Sequence, residues 1–420
     1  MSNVTYSPFV PSGTVFAPPS KSDVHRAIIC AALSKGVCTI SPVALSDDIS
    51  ATIRCVEALG AATKIENNVL TVDGTHLFEI KSALLDCHES GSTLRFLIPV
   101  AAAGGVEATF TGSGRLPERP IGIYTDALPQ KGVACETQGG LPLTVRGKLN
   151  SGVFYIPGDV SSQFITGLLF ALPLLDGDSD IILTSPVQSK GYINMTIRTM
   201  SKFGIEVDMT DRGWHVRGKQ HYIPSDYTTD GDWSQAAFFL AAGAIGGEVT
   251  VKNANIDSSQ GDRKIAALLR EFGAQVNQDG GCITVSKAPM RGITIDASQI
   301  PDLVPVLAVC ACFAEGKTEI INAGRLRIKE SDRLKSTAAL LNALGGKVSE
   351  LEDGLEITGV GTLGGGSVNG CNDHRIVMSA AICAAKLRGA VTCTDAMSIN
   401  KSYPGFYEDY QKIGGSAIIN

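Results

Sequence analysis

Phe164-Ile-Thr-Gly-Leu-Leu-Phe-Ala-Leu-Pro173 is apolar around nearly the whole circumference of a helix and leaves no polar face for water. Such a run predicts a helix packed on all sides. Its surroundings decide the fold. Upstream, Ser161-Ser-Gln163 suits a helix start, with Ser161 and Ser162 as candidate caps. Downstream come a turn, a β-rich segment and a second helix, in which Ile193, Ile197, Met200 and Phe203 fall at i, i+4, i+7 and i+10 on one face. This amphipathic helix runs into Gly204, and two short strands follow.

The succession recurs along the chain. Comparable apolar runs begin near Arg26, Leu94, Ala236, Leu303 and Ile376, and amphipathic stretches end at Gly60, Gly132, Gly273, Gly345 and Gly414. With Gly204 included, successive glycines are separated by 72, 72, 69, 72 and 69 residues. A beat this regular marks an internal repeat. Each copy reads strand–helix–strand–helix–strand–strand, so the expected class is α/β with six βαβαββ units. The sixth copy stops at Asn420, before its last strand, and Phe9 to Phe16 is expected to supply it. The N-terminus then belongs with copies four to six. The expected domains are residues 21–227, and residues 1–20 with 228–420.

Composition narrows the function. The 420 residues are 44% apolar, 19% charged and 6% aromatic, with a net charge of −6. No block of Lys or Arg argues for nucleic acid or a membrane surface. Met1 to Ser20 lacks a signal-peptide pattern, and Val304 to Ala314 falls well short of the roughly 20 residues of a membrane helix. Eleven cysteines at irregular spacing read as reduced thiols in the cytoplasm. There is no metal-ligand spacing and no phosphate-loop or dinucleotide fingerprint, so neither metal nor cofactor is expected.

Chemistry-bearing residues gather where helices begin, and helix N-termini favour anions. Pro18-Pro-Ser-Lys-Ser-Asp-Val-His-Arg26 brings Lys21, Ser22 and Arg26 to one helix start. Glu89-Ser-Gly-Ser-Thr-Leu-Arg95 places Gly91, hydroxyls and Arg95 at another, followed by Arg119 in a loop. Gln163 follows the two serines already quoted, and Ser189 precedes the second helix of that copy. Arg325-Leu-Arg-Ile-Lys-Glu-Ser-Asp-Arg333 crowds Lys329, Glu330 and Arg333 together, with Ser331 as the expected cap. Asp302 stands as a lone carboxylate before an apolar helix, Asn372-Asp-His-Arg375 occupies the equivalent place in copy six, and Lys401 lies downstream. Solvated helix starts explain many of these residues one by one. Together, cations beside two carboxylates suit an anionic substrate and proton transfer.

Read in order, Pro18-Pro-Ser-Lys-Ser…Arg26, Ser90-Gly…Arg95, Arg119-Pro120, Ser161-Ser-Gln, Lys329-Glu-Ser-Asp-Arg333, Asp373-His-Arg375 and Lys401-Ser-Tyr-Pro resemble the motifs of the 5-enolpyruvylshikimate-3-phosphate synthase family. The resemblance implies two inside-out α/β domains of three βαβαββ repeats each, the enolpyruvyl transferase fold, with the active site in the interdomain cleft. It implies a monomer that moves the enolpyruvyl group of phosphoenolpyruvate to the 5-hydroxyl of shikimate 3-phosphate. By position, Ser22, Arg26, Ser161, Ser162, Ser189, Asp302 and Lys329 would hold shikimate 3-phosphate. Lys21, Gly91, Arg119, Gln163, Arg333, Arg375 and Lys401 would hold phosphoenolpyruvate. Glu330 would protonate and deprotonate the methylene carbon, and Asp302 with Lys21 would manage the hydroxyl proton. Glu89, Gly191 and Arg325 depart from common family patterns, and Arg325 receives no ligand role. The sister family acting on UDP-N-acetylglucosamine shares the fold, but it uses a Lys-Asn pair early and commonly a loop Cys. Here Ser22 follows Lys21, and Gly112 to Pro120 contains no Cys. A non-catalytic anion-binding scaffold is the remaining alternative.

Overall fold

The computed structural model describes residues 2–420. They form six four-stranded sheets of one design. In the third copy, Gly152–Ile156 runs parallel to Ser179–Leu183, which pairs antiparallel with Gly213–Val216, and Asp208–Thr210 takes the edge. The parallel pair needs a crossover, and the apolar helix provides it.

Numbered along the chain, the helices are α1 (Lys21–Leu33), α2 (Asp47–Ala58), α3 (Gly91–Gly104), α4 (Gly122–Ala127), α5 (Ser162–Ala171) and α6 (Lys190–Lys202). They continue as α7 (Trp233–Gly246), α8 (Ile265–Phe272), α9 (Val304–Phe313), α10 (Arg333–Ala343), α11 (His374–Cys383) and α12 (Phe406–Lys412). Odd-numbered helices are the apolar crossovers and even-numbered ones the amphipathic second helices. The glycine beat has a backbone cause. Gly60, Gly132, Gly204, Gly273, Gly345 and Gly414 have φ of 108°, 85°, 79°, 115°, 89° and 91°, so each ends its helical segment in a conformation that side chains resist.

Three strands reach their sheets from elsewhere in the chain. The sixth copy is completed by Val4–Ser7, not by Phe9 to Phe16, and this corrects the sequence expectation. Val4–Ser7 lies between Val391–Cys393 and Ser416–Ile419, burying Val4 and Tyr6. Pro8 and Pro11 interrupt the segment, since proline cannot donate to a ladder. The strand after them, Ser12–Phe16, pairs parallel with Glu248–Lys252 and opens copy four. Tyr227–Thr228 pairs parallel with Val37–Ser41 and opens copy one in the same way.

The chain divides into two compact units. One takes the residues up to Pro18 together with Asp230–Asn420, and the other is Pro19–Thr229. In the first, α7, α9 and α11 pack on one another at the centre, and α7 and α9 are buried almost throughout. In the second, α3 packs along α5, and α1 lies against α2 and α6. The sheets carry one face on these helices and expose the other, as the burial alternation of Glu248–Lys252 illustrates.

Candidate active site

In the first unit, three helix starts converge on one guanidinium. Arg333, at the first position of α10, is almost wholly buried. Its Nη1 donates to Asp302 Oδ1 at 2.9 Å, its Nη2 to Glu330 Oε2 at 2.7 Å, and its Nε to Asp373 Oδ2 at 2.9 Å. Arg375, in the first turn of α11, reaches Asp302 Oδ2 at 3.2 Å through Nη2 and donates to the Asp302 carbonyl at 3.0 Å through Nη1. Asp302 sits in the short turn Pro301–Leu303 that leads into α9. It is therefore a lone carboxylate only in sequence. Lys401 joins the group through the backbone, its Nζ donating to Asn372 O at 2.6 Å.

These contacts set the protonation states. Burial alone would raise the Asp302 carboxyl, but Arg375, Lys329 and Arg333 together hold it well below the usual carboxylate range. Burial pulls the Lys329 ammonium down to about 8, against the opposing influence of Asp302 and Glu330 and with help from Arg325 and Arg333. For Arg333, burial opposes the charge, yet Asp373, Glu330 and Asp302 outweigh it and keep the group firmly protonated.

One local expectation changes here. The α10 cap is Asp332, whose carboxylate accepts from Lys335 N at 3.1 Å, and not Ser331. Ser331 donates instead to Asp373 Oδ2 at 2.9 Å, because that buried carboxylate is the stronger acceptor within its reach. Asp373 takes a role that its place in the motif Asp373-His-Arg375 does not reveal. It caps α11 through Arg375 N at 2.9 Å, and a capping residue in Asn-Asp-His-Arg gives no hint that it also anchors a remote arginine.

The second unit builds its own cationic group. Arg26 is buried on α1, with Nε on Thr196 Oγ1 at 2.8 Å, Nη1 on the Ser22 carbonyl at 2.6 Å and Nη2 on the Tyr192 carbonyl at 3.0 Å. Burial brings the guanidinium down to about 10, so it remains charged at neutral pH. Ser189 precedes α6 in a left-handed conformation and accepts from Tyr192 N at 3.1 Å, which places it beside Arg26's anchor. Lys21, the first residue of α1, is held by Asp48 Oδ2 at 2.6 Å, a partner the sequence reading did not name.

Gly91 opens α3, and a Cβ there would stand 2.8 Å from Arg119 Nη1 and 2.9 Å from Cζ, so the guanidinium lies directly on the glycine. Arg95 does not wait for an oxyanion. Its Nη1 donates to Gln163 Oε1 at 2.7 Å and its Nη2 to Pro120 O at 3.0 Å, which ties α5 to the residue after Arg119. Gln163 also donates to Ser92 Oγ at 3.0 Å. Ser161 caps α5 by accepting from Gln163 N at 3.3 Å, and Ser162 follows at the first helical position, buried. Gly91, Arg119 and Gln163 thus share one neighbourhood, while Lys21, Ser22 and Arg26 lie on the first turns of α1 and Ser189 lies just before α6.

The chain is similar to known proteins over nearly its whole length. A chain named 3-phosphoshikimate 1-carboxyvinyltransferase from Clostridium kluyveri is 47% identical over 417 residues, covering 99% of this chain and 98% of its own. Its namesake from Clostridium novyi is 45% identical over 426 residues, with the same coverage. Among solved structures, the EPSP synthase of Acinetobacter baumannii superimposes with a TM-score of 0.84 at 24% identity, over 100% of both chains. The enolpyruvyl transferase NikO of Streptomyces tendae reaches 0.80 at 17% identity, over 100% of this chain and 98% of its own. These two likenesses speak for the fold alone. The profile of the family described as EPSP synthase (3-phosphoshikimate 1-carboxyvinyltransferase) matches residues 10–410, which takes in both groups of cations, and the chain belongs to that family.

Proposed function

We propose that this chain transfers the enolpyruvyl group of phosphoenolpyruvate to the 5-hydroxyl of shikimate 3-phosphate, with release of phosphate, in the shikimate pathway. The observation that carries the reading is Arg333 gripping Asp302 at 2.9 Å and Glu330 at 2.7 Å beside Lys329 and Arg375. Anion recognition and two carboxylates for proton work occupy one place. The reading requires the cations of both units to serve the same pair of substrates across the interdomain cleft. Lys329, Asp302, Ser22, Arg26, Ser161, Ser162 and Ser189 take shikimate 3-phosphate; Lys21, Gly91, Arg119, Gln163, Arg333, Arg375 and Lys401 take phosphoenolpyruvate. Eleven free cysteine thiols support a cytoplasmic enzyme.

In the first step the 5-oxygen bonds to the enol carbon while the methylene carbon gains a proton from Glu330. In the second, Glu330 takes a proton back from the resulting methyl group as the carbon–oxygen bond to phosphate breaks, and the proton shed by the 5-hydroxyl leaves with the phosphate. Asp302, held strongly acidic, orients the 5-hydroxyl as an acceptor. Anionic substrates settling on Arg375, Lys329 and Arg333 offset the charges that depress it, and so move it toward the range where it takes the hydroxyl proton. Lys21 assists by donating a hydrogen bond to the oxygen that gives up that proton.

The test is phosphate release from phosphoenolpyruvate with shikimate 3-phosphate or UDP-N-acetylglucosamine as acceptor. Release is expected only with the first. Release only with the second assigns the chain to the sister activity, and none with either favours the scaffold. A pH series adds a check on Lys329. A sugar phosphate is a dianion above about pH 7, its second pKa lying near 6. Its dissociation constant is therefore expected to hold steady only between about pH 7 and 7.5, and to rise by up to about tenfold per pH unit above the lysine's value. Lys329→Arg should flatten the rise. A native profile that stays level to about pH 9.5 would remove Lys329 from the phosphate site.

A further inference from the structure

One buried side-chain chain in the second unit is left unused by the reaction. His25 Nδ1 meets Thr52 Oγ1 at 2.7 Å, Thr52 Oγ1 meets Thr93 Oγ1 at 2.6 Å, and Thr93 Oγ1 donates to Ser90 Oγ at 2.7 Å. All four residues are completely buried. The chain crosses three helices, from α1 through α2 to the cap of α3.

Its placement gives it meaning. His25 lies one turn beyond Lys21 on α1, and Thr52 lies one turn beyond Asp48 on α2. The Lys21–Asp48 pair and the His25–Thr52 pair are thus two rungs of one ladder, clamping α1 to α2. Thr52 extends the lower rung to α3, and the chain ends on Ser90, whose Oγ also accepts from Thr93 N at 3.2 Å. Ser90 is the residue before Gly91, on which the Arg119 guanidinium rests.

Counting protons gives the chain a direction. Each hydroxyl has one proton to donate. Thr93 gives its proton to Ser90, so in the contact with Thr52 it accepts. Thr52 gives its own proton to Thr93 at 2.6 Å in preference to the Asp48 carbonyl at 3.3 Å, so it accepts from His25. The imidazole is then protonated on Nδ1 and bare on Nε2. That agrees with Nε2, a buried atom with no hydrogen-bond partner, because an unmet lone pair is tolerated better than an unmet N–H. A neutral ring is also what burial beside Lys21 and Arg26 favours.

We propose that His25, as the Nδ1–H tautomer, is a positioning residue that sets the N-terminus of α3, and with it Gly91 and Arg119, against Lys21 through the one-way chain Thr52, Thr93 and Ser90. It acts through other groups and touches no substrate. The kinetic consequence rests on the reading that Lys21, Gly91 and Arg119 hold phosphoenolpyruvate.

Thr52→Val keeps the side-chain shape and removes the relay hydroxyl, and His25→Phe keeps a ring and removes the donor. Each is expected to raise KM for phosphoenolpyruvate roughly three- to tenfold, the scale of one lost hydrogen bond. KM for shikimate 3-phosphate and kcat should stay within about twofold, since neither touches that substrate's groups. His25→Asn puts an amide N–H where Nδ1 stood and should restore most of the loss. A merely structural chain would lower the folded fraction without separating the two substrates. An unchanged phosphoenolpyruvate KM in folded Thr52→Val, or equal shifts for both substrates, overturns the proposal. The tautomer is read independently of activity, from the side-chain nitrogen shifts of His25 in the unaltered protein by NMR. An Nε2–H ring overturns the relay, and an Nδ1–H ring supports it even if the native enzyme consumes no phosphoenolpyruvate, a result that would instead sink the functional reading.

Discussion

Glu330→Gln is expected to bind shikimate 3-phosphate as the native enzyme does and to turn over roughly 10²–10⁴ times more slowly, the scale of a general acid–base group. The substitution is narrow. Glu330 Oε2 is engaged by Arg333 Nη2 at 2.7 Å, and a glutamine oxygen can accept the same bond. Arg333 keeps Asp302 and Asp373 as charged partners, so the guanidinium is not stranded. What disappears is the capacity to give a proton to carbon and take it back. Binding measured by calorimetry should therefore separate from phosphate release measured in a single turnover. Retained turnover within a few-fold would mean that the methylene proton travels by another route and that Glu330 only balances charge.

Why the role of Glu330 was visible in the sequence, and that of Asp373 was not, comes down to what a linear string displays. Lys329, Glu330 and Arg333 announce themselves by crowding, and their place at a helix start, with Arg333 buried and the other two half-buried, gives the crowding a function. The repeat was visible for a similarly direct reason: after each second helix the backbone turns left-handed, and glycine at Gly60, Gly132, Gly204, Gly273, Gly345 and Gly414 is the residue that does so most easily. Tyr227–Thr228 is only two residues long, and nothing in so short a segment states which sheet it joins. Pro8 and Pro11 divide the N-terminus into two strands for two different sheets, whereas the reading from sequence had one. Asp48 is 27 residues from Lys21, and Thr52 and Thr93 look like ordinary helical threonines. Their roles arise from how α1, α2 and α3 pack, information that no local spacing contains.

Asp373→Ala should be the most destabilising of the single changes considered for the first unit, by about 3–5 kcal/mol, because it removes one partner of a buried ion pair and leaves the other. Asp373 Oδ2 accepts from Arg333 Nε and Ser331 Oγ, both at 2.9 Å, and Oδ1 accepts from Arg375 N at 2.9 Å as the cap of α11. Three groups lose their acceptor in a place fully closed to water. Asp332 supplies the internal comparison. It also caps a helix, but it is partly exposed and shared with Arg327, so Asp332→Ala should cost only about 1 kcal/mol, the usual value of a cap. Urea unfolding of both variants beside the native chain measures the difference, and equal losses would reduce Asp373 to a capping residue. Acid supplies a second arm. Arg333 and His374 outweigh burial and hold the Asp373 carboxyl below its ordinary range. A depressed folded value means that the stabilisation is present above the unfolded carboxylate's pKa, near 4, and is lost as pH falls through the folded one. The gap between native chain and Asp373→Ala should therefore be constant from about pH 5 to 7 and narrow below about 4. A gap that widened in acid would show that the carboxyl is neutral in the fold, and with it the arginine-centred cluster on which the proposed chemistry depends would lose its anchor.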